Sequence, residues 1–483
     1  MQEILEKKVF PNISKPSRYL GNELHSVHKD LSKMDLKVVL AFPDTYEIGM
    51  SNLGIQILYS ILNEKPNIAA ERTYAPSSDM EAKLRELKLP LFSLESKKPI
   101  AEFDILGFSI QHELTYTNIL NMLDMAGIPL RSSERGDGHP LIFAGGPNSF
   151  NPTPLAEFLD FVVVGEAEES ILEIANTLIK KKNSTRKEKL EALSKIDGIY
   201  VPLFGENPVK KGVIKDVNKV PYPTAPIIPF LDIVHNRAVL EIMRGCPRNC
   251  RFCQARYVTG PVRQKDKKIL IKYAEDLLKN TGFEEISLVS LSSSDYKEIK
   301  PLIEELSKKY KDKKISISLP SIRLDSLSME IAKAVRDVRQ TSITVAPEAG
   351  TERLRSIINK KLSEKEILDG SRRAFEMGIQ NVKLYFMIGL PGETEKDLAG
   401  MIELAKKILE AGKEFHKKRA GVVINVNLHP ETAYAVPMGK TDKHGRNKRK
   451  TEIPERPFKN KRDRAQVARR RGKLAGGDLF KRR

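Results

Sequence analysis

All three cysteines of the 483-residue chain lie within eight residues, in the run Cys246-Pro-Arg-Asn-Cys250-Arg-Phe-Cys253. A cytosolic reducing compartment would keep such thiols available as ligands. Three cysteines are too few for a four-thiolate zinc site, and no histidine stands at a zinc-finger distance from them. Three thiolates suit a cubane 4Fe–4S cluster whose fourth iron stays open to an exogenous ligand. We therefore predict an iron–sulfur cluster held by Cys246, Cys250 and Cys253.

Two other interpretations of the cysteines are open at this point. The three side chains could be buried apolar groups that happen to cluster, or they could form a thiolate site for zinc or for redox chemistry. His25 and His28 also have the spacing of a metal pair. Two lone imidazoles in a charged segment are typical of a surface feature, so we predict no metal there.

Strand and helix patterns alternate in the first half of the chain. Buried strands are predicted at Leu36–Phe42, Phe103–Ile110, Leu141–Ala144 and Phe161–Val164. Helical patterns are predicted at Asn52–Asn63, Met80–Leu87, Thr117–Ala126 and Ser184–Lys195. This alternation predicts parallel pairing and a doubly wound α/β domain over residues 31–220, after an N-terminal extension at 1–30. Its sites should lie beyond the carboxyl ends of the strands.

A second alternating series follows a proline-rich connector. Pro221–Pro229 is unsuited to helix, so residues 221–235 are the predicted linker. Further strands are predicted at Ala238–Met243, Ile286–Leu291, Ile315–Leu319, Ser342–Ala346, Val382–Ile388 and Val422–Val426. Five or six βα units at this spacing predict a full or partial (β/α) barrel over residues 236–428, with its chemistry at the carboxyl ends of the strands.

The cysteine run resembles the signature of the radical S-adenosylmethionine (SAM) superfamily, CxxxCxΦC, with Phe252 as the aromatic residue before the last cysteine. In that superfamily the motif follows the first barrel strand, as it does here. The resemblance implies that the open iron chelates the amino and carboxylate groups of SAM. One electron then cleaves the sulfonium bond and gives methionine and a 5′-deoxyadenosyl radical, which abstracts hydrogen from the substrate. It also implies an electron donor such as flavodoxin or ferredoxin.

The resemblance implies SAM contacts at the ends of later strands. The run Leu291-Ser292-Ser293-Ser294-Asp295 stands where relatives often carry GGE and bind the SAM amino group. Pro347-Glu348-Ala349-Gly350, with Arg353 and Arg355, stands where relatives contact the ribose and carboxylate. The glycine-rich run 388–393 stands where they pack the adenine. The implied SAM-binding residues are Phe252, Ser292, Ser293, Ser294, Arg323, Glu348, Arg353, Gly389, Gly392 and Glu393.

The first domain resembles cobalamin-binding α/β domains. The run Asp44-Thr45-Tyr46-Glu47-Ile48-Gly49 is similar to their DxHxxG loop, with Tyr46 in place of the cobalt-ligating histidine. Because phenol is a poor cobalt ligand, we expect any bound cobalamin to have no bond from Tyr46 to cobalt. The implied cobalamin-binding residues are Asp44, Tyr46, Gly49, Ser109, Gly145 and Gly146. The alternative is a domain that binds no cobalamin and only caps the barrel.

From residue 10 to residue 427 the sequence resembles an uncharacterised family of cobalamin-domain radical SAM proteins. The resemblance implies a doubly wound, Rossmann-like cobalamin-binding domain, then a partial (β/α) radical SAM barrel and an irregular C-terminal tail. It implies an enzyme for methylation, rearrangement or other C–H functionalisation, with a 4Fe–4S cluster, SAM and cobalamin as cofactors. The substrate is a small molecule or RNA. One alternative is a tRNA- or rRNA-modifying enzyme, and another is a nucleic-acid-binding protein with a structural cluster.

Composition and charge bound these interpretations. The net charge is +19, but residues 441–483 carry 17 Lys or Arg against five Asp or Glu, so the body of the chain is only mildly basic. No run of about 18 apolar residues occurs, and residues 1–15 lack the pattern of a signal peptide. We expect a cytoplasmic protein with no membrane partner, and three cysteines exclude a disulfide-stapled secreted domain.

The basic tail at 429–483 departs from the family resemblance. Relatives continue from the last strand with a segment like FxPKPHTPFQW. Residues 427–439, NLHPETAYAVPMG, can be back-translated into codons that read IFIPKPHTPFQW one nucleotide later. We hypothesise that the tail comes from a frameshift and is disordered. The rival interpretation is a basic arm for nucleic acid.

Overall fold

A computed structural model describes residues 1–205, 208–319 and 342–429, and the backbone of 466–467. The chain divides into two compact units. The first comprises Met1–Leu240 and Arg263–Glu284, and the second comprises Glu241–Val262 and Glu285–Arg483. The boundary between the units differs from the predicted one. The predicted linker, residues 221–235, belongs to the first unit, and so does Arg263–Glu284, which contains a helix that was predicted to be part of the barrel. The ring of Tyr222 stacks on that of Tyr273, with their centroids 4.9 Å apart.

The strands and helices follow the alternation of the sequence. The strands are β1 (Leu36–Phe42), β2 (Ile68–Tyr74), β3 (Ile105–Ser109), β4 (Leu141–Gly145), β5 (Phe161–Val163), β6 (Ile199–Tyr200), β7 (Ala238–Glu241), β8 (Met243–Arg244), β9 (Arg263–Gln264), β10 (Glu285–Val289), β11 (Ser316–Ser318), β12 (Ser342–Glu348), β13 (Asn381–Ile388), β14 (Gly421–Leu428) and β15 (Gln466–Val467). The α-helices are α1 (Gln2–Ile4), α2 (Tyr46–Gly49), α3 (Leu53–Asn63), α4 (Ser78–Glu86), α5 (Tyr116–Met125), α6 (Ser170–Lys180), α7 (Arg186–Leu193), α8 (Ala255–Thr259), α9 (Lys267–Thr281), α10 (Ile299–Tyr310), α11 (Glu352–Ile357), α12 (Glu364–Glu376) and α13 (Glu395–His416).

The first unit is built on one six-stranded sheet in the order β2-β1-β3-β4-β5-β6. Strands β1 to β5 are parallel, and β6 pairs antiparallel with β5 at the edge. In the register of the sheet, Leu40 lies opposite Arg72 on one side and Gly107 on the other. Because the strand order reverses between β1 and β3, the carboxyl ends of these strands form the switch point where such sheets bind ligands.

Both faces of this sheet are covered, which confirms the predicted doubly wound domain. Val38 and Leu40 belong to a buried cluster that includes residues of α3, α6 and α7. The intervening Val39 and Ala41 belong to a second cluster that includes residues of α4 and α5. A parallel strand buried on both faces has a continuous apolar sequence, as Leu36–Phe42 does. Helix α3 begins where the Asn52 side chain accepts a hydrogen bond from the Ile55 amide.

Strand β2 was missed by the sequence analysis. Its residues IAAERTY contain Glu71 and Arg72, and the charges conceal a strand that is buried along its whole length. The fold tolerates the buried charges because they are paired. Arg72 lies between the carboxylates of Glu23 and Glu95, at 2.9 and 2.7 Å.

The second unit consists of parallel β/α elements. Strand β10 pairs with β11, and the Ile242 amide donates to the Val289 carbonyl at 3.0 Å. A second sheet has the order β12-β13-β14-β15, with Leu384 between Val345 and Ile424. Helices α10, α12 and α13 lie between successive strands in the chain order. Residues 320–341, between β11 and β12, lie outside the described residues.

Two residues of the predicted irregular tail form a strand. Gln466 and Val467 pair in parallel with Val423 and Ile424, because β14 presents open backbone groups at the edge of its sheet. The prediction of an irregular tail is wrong for these two residues. The rest of the tail after His429 lies outside the described residues. None of the helices in the described ranges is long and apolar enough to cross a membrane.

Candidate functional site

The cysteine loop starts directly after β8 with a glycine that the backbone requires. Gly245 has φ +81°, and a Cβ atom there would stand 2.7 Å from the Pro261 carbonyl oxygen. All three cysteines that follow are partly exposed, and none is in a disulfide. Partly exposed thiols do not fit the interpretation of the cysteines as buried apolar side chains. They fit ligands that are open to a metal centre.

The loop is fastened to the segment that ends α11. The Arg251 amide donates to the Ile358 carbonyl at 2.9 Å, and the Arg251 guanidinium donates to the Ile357 carbonyl at 2.6 Å. The Asn359 side chain donates to the Asn249 carbonyl at 2.7 Å. Phe252 packs against an apolar cluster formed by Ala349, Leu354, Ile358, Met387 and Leu390. The loop is therefore held in place by groups from the ends of β12 and β13.

A cavity of about 130 Å³ opens beside Cys250, lined by Pro247, Arg248, Asn249, Cys250, Asn359 and Lys361. Across the described residues, no three His, Cys, Asp or Glu side chains are gathered as the ligands of one metal ion. Cysteines that bind separate irons of one cube lie farther apart than the ligands of a single ion. Three thiols on one loop match the protein ligands of a cubane cluster that has one open iron.

The loop at the end of β10, which contains residues 291–295, is brought to the cysteine loop. Arg248 donates two hydrogen bonds to Asp295, from Nε at 2.9 Å and from Nη2 at 2.5 Å. Ser292 donates to the same carboxylate at 2.7 Å. The Ser293 hydroxyl donates to the Leu288 carbonyl at 3.3 Å, so it is partly occupied in closing its own turn. Ser294 lies between Ser293 and Asp295 in the chain and is partly exposed.

Glu348 ends β12 in a strained position. Its φ is +69°, in the left-handed region that favours glycine, and the register of β12 against β13 shifts between Val345 and Glu348. Burial raises the pKa of the Glu348 carboxyl, although Lys360 stands 3.4 Å away and acts against the shift. A strained, buried carboxylate at the carboxyl end of a barrel strand is typical of a functional position.

Arg353 has a protein partner in the structure. Its guanidinium pairs with the buried carboxylate of Asp397 and donates to the Gly392 carbonyl at 2.9 Å. Burial acts to raise the pKa of Asp397, but hydrogen bonds from Thr351, Thr394 and Arg353 outweigh it and lower the pKa to about 2. Arg353 therefore positions the glycine-rich loop. Its pairing with Asp397 does not favour a direct contact between its guanidinium and SAM.

The glycine-rich loop closes on itself. Gly389 and Gly392 have φ of +87° and +73°, and the Gly389 amide donates to the Glu393 carboxylate at 2.9 Å. A Cβ on Gly389 would meet no atom of the described residues within 4 Å, so the space above this residue is open among them. Arg355, the other arginine of this region, is buried and donates to the Ala349 and Leu362 carbonyls at 3.0 and 2.8 Å. Arg323 lies outside the described residues.

In the first unit, the predicted loop residues lie at the switch point of the sheet. Asp44 follows β1 and accepts a hydrogen bond from the Thr45 amide at 2.7 Å. Ser109 ends β3 and accepts from the Gln111 side chain at 3.0 Å. Gly146 follows β4 with φ +102°, and a Cβ there would stand 2.7 Å from the Ile110 carbonyl oxygen. Asp44, Ser109 and the Gly145–Gly146 pair therefore share one edge of the sheet.

Tyr46 and Gly49 face the interior instead. The Tyr46 side chain is 1% exposed, and its hydroxyl donates to Glu23 at 2.9 Å. Burial and the negative charge of Glu23 raise the pKa of Tyr46 well above its usual value. A Cβ on Gly49 would stand 2.3 Å from the Tyr74 ring. Tyr46 is thus a neutral residue of the core.

Several residues of the site were missed by the sequence analysis. Asp397 was findable, because Thr394-x-x-Asp397 is a capping box at the start of α13. Gly245, directly before the first cysteine, was a weaker signal. Arg248 pairs with Asp295, and Glu23 is buried against Arg72. The members of each pair are far apart in the chain, so no local sequence pattern predicts these contacts. His25 bonds to the Asn280 carbonyl at 3.0 Å, and His28 bonds to the Ser26 hydroxyl at 3.1 Å.

Comparison with known proteins identifies both halves of the chain. Residues 54–202 match the family model "Radical SAM proteins, N-terminal", and residues 240–405 match the model "Radical SAM superfamily". Uncharacterized protein MJ0966 of Methanocaldococcus jannaschii is 30% identical over 379 residues, which cover 78% of this chain and 74% of that protein. A tRNA-2-methylthio-N(6)-dimethylallyladenosine synthase of a Wolbachia species is 26% identical over 180 residues, 35% of this chain and 40% of that protein.

A solved structure has a similar fold. The radical S-adenosylmethionine methyltransferase TsrM from Kitasatospora setae, determined with cobalamin and a 4Fe–4S cluster bound, matches with a TM-score of 0.57 at 14% identity. The match covers 82% of this chain and 72% of TsrM. At this identity the similarity shows the fold, in which an N-terminal α/β domain precedes a radical SAM barrel.

Proposed function

The chain belongs to the radical SAM superfamily of enzymes and to the family of the Methanocaldococcus jannaschii protein, and from this premise we propose that it uses SAM and a 4Fe–4S cluster to functionalise or methylate a C–H bond. The observation that carries the proposal is the cysteine loop, in which three partly exposed thiols follow a strand end and one of them, Cys250, borders a cavity. When bound, the cluster supplies the electron that cleaves SAM into methionine and a 5′-deoxyadenosyl radical.

Different residues of the chain bind the cluster and the parts of SAM. Cys246, Cys250 and Cys253 bind three irons and leave the fourth open. Phe252 anchors the loop in the apolar cluster with Met387 and Leu390, which also keeps water away from the reacting groups. Asp295 holds Arg248, and Ser292, Ser293 and Ser294 offer hydroxyl groups toward the SAM amino group. These assignments rest on the resemblance and on positions at the strand ends.

For the ribose and the adenine of SAM, the chain provides one carboxylate and a glycine backbone without side chains. Glu348 accepts hydrogen bonds from the ribose, and Lys360 keeps its charge compensated. Gly389 and Gly392 allow the adenine to approach the backbone closely. Two hydrogen bonds fix the conformation of that loop. Glu393 accepts one from the Gly389 amide, and Arg353 donates one to the Gly392 carbonyl.

The first unit is proposed to bind cobalamin at its switch-point edge. Asp44, Ser109, Gly145 and Gly146 are gathered there, at the carboxyl ends of neighbouring parallel strands, where sheets of this kind bind ligands. Tyr46 and Gly49 support the loop from the interior and do not touch cobalt. TsrM, which shares the fold, was solved with cobalamin bound, and this supports the proposal.

A second candidate function is the modification of tRNA or rRNA. The similarity to the tRNA-2-methylthio-N(6)-dimethylallyladenosine synthase favours it, although that similarity covers 35% of this chain. We keep it as the alternative, because it needs the same cysteine loop and the same SAM contacts. Under either function the reaction takes place in the cytoplasm, where thiols stay reduced and an electron carrier such as flavodoxin or ferredoxin is present.

The proposal is tested by anaerobic reconstitution of the full chain with iron and sulfide, followed by dithionite and SAM. We expect 5′-deoxyadenosine and methionine in the products, and visible absorbance of a 4Fe–4S cluster. The Cys250→Ala variant should lose both. A reconstituted chain that binds a full cluster but does not cleave SAM would contradict the enzyme and favour a nucleic-acid-binding protein with a structural cluster. Titration with hydroxocobalamin tests the first unit separately.

The substrate class is tested in cells with and without the gene. Comparison of their metabolites and of their RNA modifications should reveal one missing product. A modified nucleoside that disappears with the gene supports the RNA-modifying alternative. A missing small molecule supports the first candidate.

We further propose that the residues after Val426 come from a shifted reading frame. The alternative frame would restore the continuation IFIPKPHTPFQW after β14, where relatives carry a similar segment. Sequencing of the gene in this region tests the proposal. We expect a one-nucleotide difference, whereas an intact frame would leave the tail as a basic arm. The corrected chain should then cleave SAM faster than the present one.

A further inference from the structure

Part of the N-terminal extension is fastened to the first unit by hydrogen bonds. We call residues 14–23 the strap. The Ser14 amide and the Ser14 hydroxyl both donate to the Asp79 carboxylate at 2.7 Å. The Ser77 amide donates to the Tyr19 hydroxyl at 2.9 Å. These contacts give the strap a defined path along the first unit.

Between these two anchors the strap forms an ion pair with the loop that follows β1. Arg18 donates to one oxygen of Glu47 from Nε at 3.0 Å and from Nη2 at 2.7 Å. The Lys15 ammonium stands 3.4 Å from the same oxygen. The side chains of Arg18 and Glu47 are 15% and 16% exposed. Burial acts to raise the pKa of Glu47, but hydrogen bonds from Arg18 outweigh it and lower the pKa, so the pair stays charged.

Glu47 belongs to a helix that depends on contacts from outside. Helix α2 consists of the four residues Tyr46–Gly49, and a single helical turn is not stable by itself. Its first and last residues are buried, whereas Ile48 is 43% exposed. The Glu47 side chain is held by the strap, and its carbonyl accepts a hydrogen bond from the Ser51 hydroxyl at 2.8 Å. The Arg18 pair therefore helps to set the orientation of α2.

The start of the same loop is already fixed at the edge of the sheet. The Asp44 carbonyl accepts a hydrogen bond from the Ala75 amide at 3.0 Å, and the Asp44 carboxylate accepts one from the Thr45 amide at 2.7 Å. Because Tyr46 is buried, it offers cobalt no bond that would hold the loop and a cobalamin together. Contacts within the protein must therefore set the position of the loop.

We propose that Arg18 is a positioning residue for the cobalamin-binding loop. By holding Glu47 it fixes the orientation of α2, and with it the exposed side chain of Ile48, which would pack on the apolar surface of the corrin ring. The inference rests on the proposed cobalamin site of the first unit. Arg18 and Glu47 act through α2 and do not themselves touch the cofactor.

An ion pair that only stabilised the fold would behave differently. A partly exposed pair contributes little to the free energy of unfolding. A residue that orients a ligand-binding group changes the affinity for the ligand without touching it. The Arg18 pair should therefore affect cobalamin binding more strongly than it affects folding.

The test is equilibrium dialysis of the reconstituted full chain against hydroxocobalamin, whose visible absorbance gives the dissociation constant. The variants are Arg18→Gln, Glu47→Gln, their double variant and the conservative Arg18→Lys. The control is Asp79→Asn, which weakens the strap at Ser14 and leaves the Arg18 pair in place. Urea unfolding and the iron content of each protein show whether it is folded.

We expect Arg18→Gln and Glu47→Gln each to raise the dissociation constant about tenfold. The double variant should bind no more weakly than either single variant, because the two residues act through one contact. Arg18→Lys keeps the charge and should bind more tightly than Arg18→Gln. Asp79→Asn should bind hydroxocobalamin as the wild type does, although its urea midpoint falls as much as that of Arg18→Gln.

Three results would overturn the positioning role of Arg18. Arg18→Gln could bind hydroxocobalamin as tightly as the wild type. Asp79→Asn could weaken binding as much as Arg18→Gln, which would make the effect a general loss of stability. The effects of Arg18→Gln and Glu47→Gln could multiply in the double variant, which would make them independent. A wild type that binds no hydroxocobalamin would instead refute the cobalamin site itself, and the role of Arg18 with it.

Discussion

Arg248 in the cysteine loop and Asp295 at the end of β10 form a two-pronged ion pair, with the bonds from Nε and Nη2 at 2.9 and 2.5 Å. The two residues are 47 positions apart in the chain, and the pair joins the loop that carries the thiols to the loop proposed to bind the SAM amino group. The Asp295 side chain is 16% exposed and that of Arg248 is 34% exposed. A two-pronged contact fixes orientation as well as distance.

The first prediction concerns this pair. Asp295→Asn removes the charge and one strong acceptor, and we expect the rate of SAM cleavage with dithionite to fall about tenfold or more, because a misplaced loop disturbs the reacting geometry. The loss of unfolding free energy should stay at about 1 kcal/mol, since the pair is partly solvated. The matched control is Arg372→Gln, which breaks the exposed pair with Glu414 and should change neither quantity. Equal SAM cleavage by Asp295→Asn and the wild type would remove the positioning role.

The second prediction concerns the glycine before the first cysteine. Gly245→Ala introduces a Cβ at 2.7 Å from the Pro261 carbonyl oxygen at φ +81°, so we expect iron content after reconstitution to fall and the unfolding free energy to drop by about 1–3 kcal/mol. Gly378→Ala is the control, because Gly378 has φ +96° but no atom of the part of the chain that the structure describes within 4 Å of the added Cβ. It should cost only the conformational strain, about 1 kcal/mol, and keep the iron content. Equal iron loss in both variants would show that the close contact is irrelevant.

The third prediction concerns pH and Asp397. Its pKa is lowered from 3.8 to about 2, so the carboxylate stabilises the folded chain above its unfolded pKa, and this contribution disappears as the pH falls from about 4 through 2. A shift of this size corresponds to about 2 kcal/mol. Asp397→Asn should lower the unfolding free energy by about that amount at pH 7 and by about half as much at pH 3, as measured by urea unfolding. Asp369→Asn, at an exposed carboxylate, is the control and should change little. A difference that stays constant with pH would contradict the assignment.

The fourth prediction separates core and ligand roles in the first unit. Tyr46→Phe removes a buried hydrogen bond to Glu23, and we expect the unfolding free energy to fall by about 1–2 kcal/mol. The affinity and visible spectrum of bound cobalamin should not change, because Tyr46 faces the interior. Tyr74→Phe is the control, since the Tyr74 hydroxyl donates to the Met50 sulfur, a weak acceptor, at 3.0 Å. A changed cobalt spectrum in Tyr46→Phe alone would reinstate Tyr46 as a ligand.

The predicted strands and helices are mostly where the sequence placed them, because their apolar patterns are local. Leu36–Phe42 is a strand with the predicted bounds, and Asn52 caps the predicted helix. The cysteine loop was equally accessible, since its meaning depends on spacing alone. Strand β2 was not accessible, because Arg72 looks like a surface residue until Glu23 and Glu95 are known to enclose it.

Some contacts at the candidate site could not be predicted from the sequence for the same reason. Arg353 was expected at a ligand, and it pairs with Asp397, 44 positions later in the chain. Glu393 was expected at the adenine, and it accepts the amide of Gly389 in its own turn. A sequence pattern places such residues at the right strand end, but the choice between a ligand and a protein partner depends on long-range packing.

Glu23 is synthesised before both of the residues that enclose it. Its carboxylate and that of Glu95 pair with the same Arg72 guanidinium, so the first thirty residues complete the ion pairing at this edge of the sheet. Trimming them for crystallisation would not remove a loose end. It would leave the Arg72 guanidinium in the interior opposite one carboxylate instead of two, and it would leave Tyr46 without its acceptor.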